Sequence, residues 1–229
     1  MSIAALIIGI DGWGQYTAPL VESIRRHEPD CQLVVIDNAS AEPYPEMTFV
    51  QRTERLCYSA AINHAHQLAG QADWYIVLSN DVLCQGPFSH MLAALPANCI
   101  AGPCLKETHG FQYLEGWCVC IPAPVWNALG GWDEGFLVSS WEDVSFSQSA
   151  MEHGFDVIHA PDLPFTHLDQ RQRFTLSANY WDSERHNIAY FMEKRKAASD
   201  PFGNQWRAYV DSQQGGATGV FSGQRKAAQ

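Results

Sequence analysis

Charge is scarce in this sequence. Only 17% of its 229 residues are charged, and 14 Lys and Arg stand against 25 Asp and Glu. The formal net charge of −11 argues against broad binding to nucleic acid or anionic membrane and leaves room only for a local basic patch. No apolar run reaches the length of a membrane span. The apolar stretch Ile3 to Ile10 has neither a basic segment before it nor a small-residue cleavage site after it, so it reads as a first strand. There is no Cys-x-x-Cys pair. The seven cysteines are odd in number, with Cys118 and Cys120 one residue apart, a spacing that does not suit structural zinc. They read as reduced thiols, packed as small hydrophobes in a cytoplasmic protein. Gly9, Gly12 and Gly14 miss the Gly-x-Gly-x-x-Gly spacing of a dinucleotide oxidoreductase. There is no internal repeat.

Hydrophobic residues make up 46% of the chain, enough for one sizeable core. The organising stretch is Trp74 to Leu83. Tyr75 to Leu78 form a continuous apolar run, followed at once by Ser79, Asn80 and Asp81. Such a run fits a strand buried on both faces of a parallel sheet. The polar triplet then lies at the strand's carboxyl end, where open α/β sheets bind ligands. A carboxylate there can hold a hard divalent cation against a diphosphate, although Ser-Asn-Asp also makes an ordinary turn.

Earlier in the chain, Ala4 to Ile10 and Gln32 to Ile36 read as buried strands flanking a helix over 16–27. A strand–helix–strand unit of this kind makes parallel strands, which brings Asp11, Asp37 and Asp81 to one sheet edge. Asp37 suits a ribose hydroxyl or base N–H, with a strand-end turn as the alternative. Met47 to Val50 reads as a short strand. Residues 55–68 read as a helix with Asn63 inside it, whose ordinary role is local hydrogen bonding. A helix follows near Pro87 to Leu95, then a strand at Cys99 to Pro103. At least one further strand, parallel or antiparallel, is expected between Phe111 and Pro122, around Glu115, Gly116 and Trp117. A short helix at Val125 to Leu129 ends at Gly130-Gly131.

Trp141, Glu142 and Asp143 open a further helix, reaching to His153. Adjacent carboxylates at a helix start are favoured by the helix dipole, and one in a cleft can also serve as a general base. A strand at Phe155 to Ala160 precedes His167, and a lone histidine is more often structural than a ligand. Residues 177–196 form an amphipathic helix. The expected organisation is one α/β domain over 1–200, with a mostly parallel central sheet flanked by helices, and a loosely ordered extension over 201–229.

In order and spacing, these motifs resemble glycosyltransferase family 2, the inverting enzymes of the GT-A fold, over about residues 3–196. Four matches carry the resemblance: VVIDNAS at the second strand end, SAAINHAHQLAGQADWYIVLSNDVL, GGWDEGFLVSSWEDVSF, and His167 after the next strand. The resemblance implies a nucleotide-diphosphate sugar donor and a divalent cation, Mn2+ or Mg2+. Asp81 would bind the metal, with His167 as second ligand. Asn80 would lie near the donor sugar or ribose, and Asp37 near the base or ribose. Asp11 would wall that pocket, and Asn63 belongs to the same donor side. Asp143 would be the general base, and Glu142 would orient it or the acceptor. Trp117 and Trp141 would stack on the acceptor.

The sequence departs from the family in its metal motif, where only Asp81 is acidic, and at Ser145, at Ser149 and at the Asp11-Gly12-Trp13 end of the first strand. The alternatives are a non-catalytic glycan- or nucleotide-binding module on the same fold and a nucleotidyltransferase. The second of these would want a basic glycine loop in place of Asp11-Gly12-Trp13-Gly14. A saccharide acceptor and single-sugar addition are expected. Lipid-linked glycan, protein and a modified nucleobase in DNA stay open, and so does the oligomeric state. A DNA acceptor predicts that Arg171, Arg173, Arg185, Lys194, Arg195 and Lys196 cluster on one face.

Overall fold

The computed structural model describes residues 1–45, 49–51, 54–168 and 180–196. Strand β1 (Ile3–Gly9) is buried along its whole length. Its alternate residues face opposite ways: Ile3, Ala5 and Ile7 enter one core cluster, and Ala4, Leu6 and Ile8 enter another. Both faces are covered, which is why the run is apolar without alternation. A left-handed corner at Asp11 and Gly12 (φ 53° and 64°) turns the chain into a single π-helical turn, Trp13–Thr17. That turn continues as α1 (Ala18–His27), which lays Leu20, Val21 and Ile24 on the first cluster.

β2 (Gln32–Asp37) runs parallel to β1, and β3 (Phe49–Gln51) runs parallel to β2. α2 (Tyr58–Ala69) covers the second face with Ala61, Ile62 and Ala65. β4 (Trp74–Ser79) pairs with the other side of β1, again in parallel. The carboxyl ends of β1, β2 and β4 therefore share one edge, as the sequence predicts.

The chain continues through β5 (Val82–Cys84), α3 (Ser89–Ala94), β6 (Cys99–Gly102), β7 (Leu105–Thr108), β8 (Phe111–Leu114) and β9 (Cys118–Pro122). Then come α4 (Ala123–Leu129), α5 (Glu142–Glu152), β10 (Asp156–His159), β11 (Phe165–His167) and α6 (Tyr180–Lys196). The main sheet has the order β10-β6-β9-β4-β1-β2-β3. β9 is antiparallel to both β4 and β6, and β10 is parallel to β6. Because β9 runs backwards, the residues just before it, Glu115 to Trp117, stand on the ligand-binding edge.

Two pairings go beyond the sequence reading. β7 and β8 form a hairpin closed by His109 and Gly110, whose φ of 52° and 82° suit a two-residue turn. β11 pairs antiparallel with β5 and sets His167 opposite Val82. A third cluster joins Phe111, Phe136, Trp141 and Val144 to Ile188, Phe191 and Met192 of α6. Helix α6 thus packs on the segment that leads into α5. Met47 and the 201–229 extension lie outside the described residues.

Candidate active site

At the β1–β2 corner, polar side chains are turned inward. Asp37 is 0% exposed. Its two carboxylate oxygens accept from the backbone N–H groups of Ser40 (3.0 Å) and Tyr44 (2.9 Å). Ser40 Oγ in turn accepts from the Asp11 N–H, and Asp11 Oδ1 accepts from the Ala41 N–H, both at 2.8 Å. Tyr44 Oη donates to the Asp11 carbonyl (2.9 Å) and accepts from Thr17 Oγ1 (2.8 Å). Burial pushes the Tyr44 phenol up to about 12, so it stays protonated. Asn80 is 2% exposed. Its amide nitrogen donates to Tyr44 Oη and Thr17 Oγ1, each at 3.2 Å, and to the Asp11 carbonyl at 3.3 Å.

Asp37 is buried and bonded to the backbone of its own loop, so it shapes a wall of this corner, the strand-end turn that was the alternative reading. Asn80 ties β4 to the β1 corner from inside. Tyr44, Thr17 and Ser40, which the sequence reading passed over, complete this network. Only the short spacing of Asp37, Ser40 and Tyr44 hinted at a folded loop.

The next corner is arranged differently. Asp81 stands two residues past β4 and directly before β5. One of its carboxylate oxygens accepts from Ser79 Oγ (2.7 Å), and the other faces His167 Nε2 at 3.1 Å. Ladder pairing between β5 and β11 brings the two together, and the Leu168 N–H donates to the Asp81 carbonyl (2.8 Å). The Trp117 indole lies parallel to the His167 ring, with centroids 5.1 Å apart and planes within 8°. Trp117 Nε1 donates to Glu115 (3.0 Å), which also takes bonds from Lys106 Nζ (2.6 Å) and Cys104 Sγ (3.0 Å). Burial pulls the Glu115 carboxyl upward, but these three donors outweigh it and hold it below its ordinary value.

Among the described residues no group of three or more His, Cys, Asp or Glu could hold a metal ion. The Asp81–His167 pair offers two ligands, and Mg2+- or Mn2+-type ions in nucleotide sites usually take only one or two from protein, with substrate phosphates and water completing the shell. Ligand atoms sharing one ion with bonds of about 2.1 Å stand roughly 3 Å apart, which the 3.1 Å separation meets. His167 Nδ1 is buried without a partner. Among the described residues Nδ1 has no partner, and Nε2 faces Asp81, where it can give a proton to that carboxylate or, in the other tautomer, a lone pair to a cation. The donor set fits such an ion.

Asp143 lies in the first turn of α5. The Gly116 N–H donates to its Oδ2 (3.1 Å), and the Val144 N–H donates to its Oδ1 (2.9 Å). Tyr58 Oη donates to the Gly116 carbonyl (3.0 Å). Burial pushes the Tyr58 phenol well up, and the charges of Glu142, Asp81 and Asp143 add to the push. Three candidate carboxylates thus act on one phenol. Tyr58 and Gly116 were invisible as site residues in the sequence. Glu142, the first residue of α5, is buried.

Three other expected positions serve the fold. Asn63 Oδ1 accepts from the Trp132 N–H (2.8 Å), and its Nδ2 donates to the Trp132 carbonyl (2.7 Å) and to Glu134 (2.8 Å). It clamps α2 to the 132–134 loop and has no amide hydrogen left for a donor sugar. Trp141 is 5% exposed, stacked on His109 (5.7 Å) and tilted against Phe191 (5.2 Å), so it is a core ring and not an open platform. Trp117 keeps partial exposure, but one face is occupied by His167. Of the six cations proposed as a basic face, Arg171 and Arg173 lie outside the described residues, as does the Lys196 side chain. Arg185, Lys194 and Arg195 are each paired with a carboxylate, from Asp182, Asp133 and Glu152.

Comparison with known proteins bears on the fold and the family. A search of curated proteins gave no match. Among solved structures, the chain is similar to a mannosyltransferase from Pyrobaculum calidifontis in complex with GDP-Man and Mn2+. The identity is 15% and the TM-score 0.59, over 99% of this chain and 78% of that one. It is similar to GalNAc-T7 with UDP, GalNAc and Mn2+ at 13% identity and TM-score 0.66, over 88% of this chain and 52% of that one. It is also similar to the catalytic domain of Drosophila beta1,4-galactosyltransferase 7 in complex with xylobiose, at 15% identity and TM-score 0.50, over 75% and 72%. At these identities the likeness is one of fold, and the fold is GT-A. The model of glycosyltransferase-like family 2 matches residues 45–180, more than half of the 229. With that match and this architecture, the chain belongs to glycosyltransferase-like family 2 and is a glycosyltransferase.

Proposed function

We propose that this glycosyltransferase is inverting and metal-dependent, and that it moves one sugar from a nucleotide-diphosphate sugar to an acceptor hydroxyl. The carrying observation is the pairing of Asp81 with His167 at the sheet edge, with Asp143 held close by through Gly116. Asp81 and His167 would hold a divalent cation, Mn2+ or Mg2+, which when bound would supply positive charge to the departing diphosphate. Structures sharing the fold, including the mannosyltransferase with GDP-Man, contain Mn2+, which supports this reading.

Asp143 takes the proton of the acceptor hydroxyl as it attacks the anomeric carbon. The N–H of Gly116 fixes one of its oxygens, and the phenol of Tyr58 fixes Gly116. A single displacement assisted by one carboxylate inverts the anomeric centre and needs no second nucleophilic carboxylate. Glu142, its neighbour at the start of α5, orients Asp143 or the acceptor. The loop between Asp37 and Tyr44, with Asp11 bonded to it from the end of β1, walls the nucleotide side. The acceptor is a saccharide, the class bound in the Drosophila structure. Among the described residues no helix is long and apolar enough to cross a membrane. All seven cysteines stand as thiols, which suits a cytoplasmic setting.

The test is thermal stabilisation by nucleoside diphosphates and nucleotide sugars, with and without manganese. A ligand that binds only the folded state raises Tm. We expect a manganese-dependent rise for one nucleotide, and its loss in Asp81→Ala. No rise with any nucleotide at millimolar concentration, or an unchanged rise in Asp81→Ala, would overturn the reading.

A further inference from the structure

The matched family region ends at residue 180, where α6 begins. Four residues of α6 at helical spacing, Asn187, Tyr190, Phe191 and Lys194, all reach one stretch of chain, 133–141. Asn187 is 0% exposed and gives every polar atom to that stretch. Its Oδ1 accepts from the Leu137 N–H (2.7 Å), and its Nδ2 donates to the carbonyls of Leu137 (2.8 Å) and Ser140 (2.9 Å). Tyr190 donates to Asp133 (3.1 Å) and meets Phe136 edge-on at 5.0 Å. Phe191 meets Trp141, and Lys194 pairs with Asp133.

The gripped stretch is strained. Val138, Ser140 and Trp141 have φ of 53°, 105° and 70°, in the left-handed region that side chains rarely adopt, least of all a β-branched valine. Such a path persists only where its surroundings enforce it. Asn187 enforces it from one side. From the other, the Tyr58 N–H donates to the Val138 carbonyl (2.7 Å). Asp143 stands two residues beyond this path. Its seat is close-fitting, since a Cβ on Gly116 would come within 3.3 Å of the Asp143 Cβ.

We propose that Asn187 is a positioning residue for Asp143: it holds 137–141 in its strained path and so sets where the carboxylate stands. The proposal rests on the reading of Asp143 as general base.

The test compares Asn187→Leu and Asn187→Ser in the full chain with wild type and Asp143→Asn. Rates are taken as nucleoside diphosphate release from UDP-glucose, UDP-N-acetylglucosamine and GDP-mannose with manganese, with p-nitrophenyl glycosides as acceptors. The expected result is a roughly 100-fold lower kcat in the Asn187 variants, the scale of a small misplacement. Donor KM and manganese-dependent affinity for UDP or GDP should stay within about twofold, since uniform binding is untouched. A general structural role would lower both together, and that result would overturn the proposal. So would a wild-type kcat in either Asn187 variant. Retained transfer in Asp143→Asn refutes the base reading and the proposal with it. Lost transfer there with intact Asn187 variants refutes the proposal alone.

Hydrogen exchange supplies a readout that needs no substrate. Asn187→Ser should speed exchange at Leu137 and Ser145 while leaving β1 and β4 protected, and unchanged protection at both amides overturns the proposal. If neither variant folds, Asn187 is a pillar of the whole fold and the positioning role is wrong.

Discussion

Two corners of the same sheet edge carry similar residue types and use them in opposite ways. At the β1–β2 corner, Asp37, Asn80, Thr17 and Tyr44 satisfy one another and the backbone, and the two carboxylate oxygens of Asp37 are both taken by main-chain N–H groups. At the β4–β9 corner, Asp81 takes no main-chain donor among its described bonds. Its partners are a serine hydroxyl and an imidazole whose other nitrogen is buried and unpartnered. An aspartate at a strand end is thus no evidence of a ligand contact by itself. What sets Asp81 apart is that its described carboxylate partners are side chains and not main-chain N–H groups.

The largest effect that would sharpen this contrast is expected at Asp143. Asp143→Asn should lower transfer by roughly 10²- to 10⁴-fold, the range for a lost general base, and leave Tm and donor affinity nearly intact. Weakened donor binding with a normal rate in the bound complex would break the comparison at its catalytic end. Asp37→Ala should behave in reverse. Leaving the Ser40 and Tyr44 N–H groups unpaired should cost about 3 kcal/mol of stability, read as a lower urea midpoint with unchanged m. Donor affinity of the folded fraction should hold, and a donor-specific defect without a stability loss would return Asp37 to the ligand.

Tyr44→Phe should cost about 1 kcal/mol by removing the hydroxyl shared by Thr17, Asn80 and the Asp11 carbonyl. The smallest effect concerns pH. Burial pulls the Asp133 carboxyl up, but Lys194, the Gly135 N–H and Tyr190 outweigh it and hold it below its ordinary value. Its contribution is present above the usual carboxylate range and is lost as pH falls through that lowered value. Burial pulls Lys194 down, and Asp133 more than restores it, so its share persists until pH rises past the usual lysine range. The gap in Tm between wild type and Asp133→Asn should therefore narrow as pH falls below about 4. Its size should be under about 1 kcal/mol, since the Lys194 side chain is largely exposed. A gap that stays constant down to strongly acidic pH would show that the ion pair adds nothing.

The parts that were legible in the sequence are those written locally. β1, β2 and β4 announce themselves as apolar runs because each is buried on both faces, and α5 begins where Glu142 and Asp143 suit a helix dipole. The sheet edge followed from strand–helix–strand handedness. Long-range closure was not legible in the local pattern, although the family resemblance had already paired His167 with Asp81. His167 reaches Asp81 through two strands of three residues each, too short for any periodic signal. Trp141 looked like a stacking platform because a sequence shows an aromatic ring but not the helix that covers it. Asn187 carried no signal at all, since an asparagine inside a helix looks the same whether it faces solvent or grips a loop.

The backward run of β9 has a consequence for distance itself. Its entry residues, Gly116 and Trp117, touch both halves of the site. The Gly116 N–H holds Asp143, the Trp117 carbonyl accepts from the Ser79 N–H, and the Trp117 ring lies on His167. Neighbouring residues are separated by a fixed span of about 3.8 Å between Cα atoms. The contacts to Asp143 and to His167 are thus set one peptide apart, so the spacing between the two proposed roles is anchored on a covalent ruler.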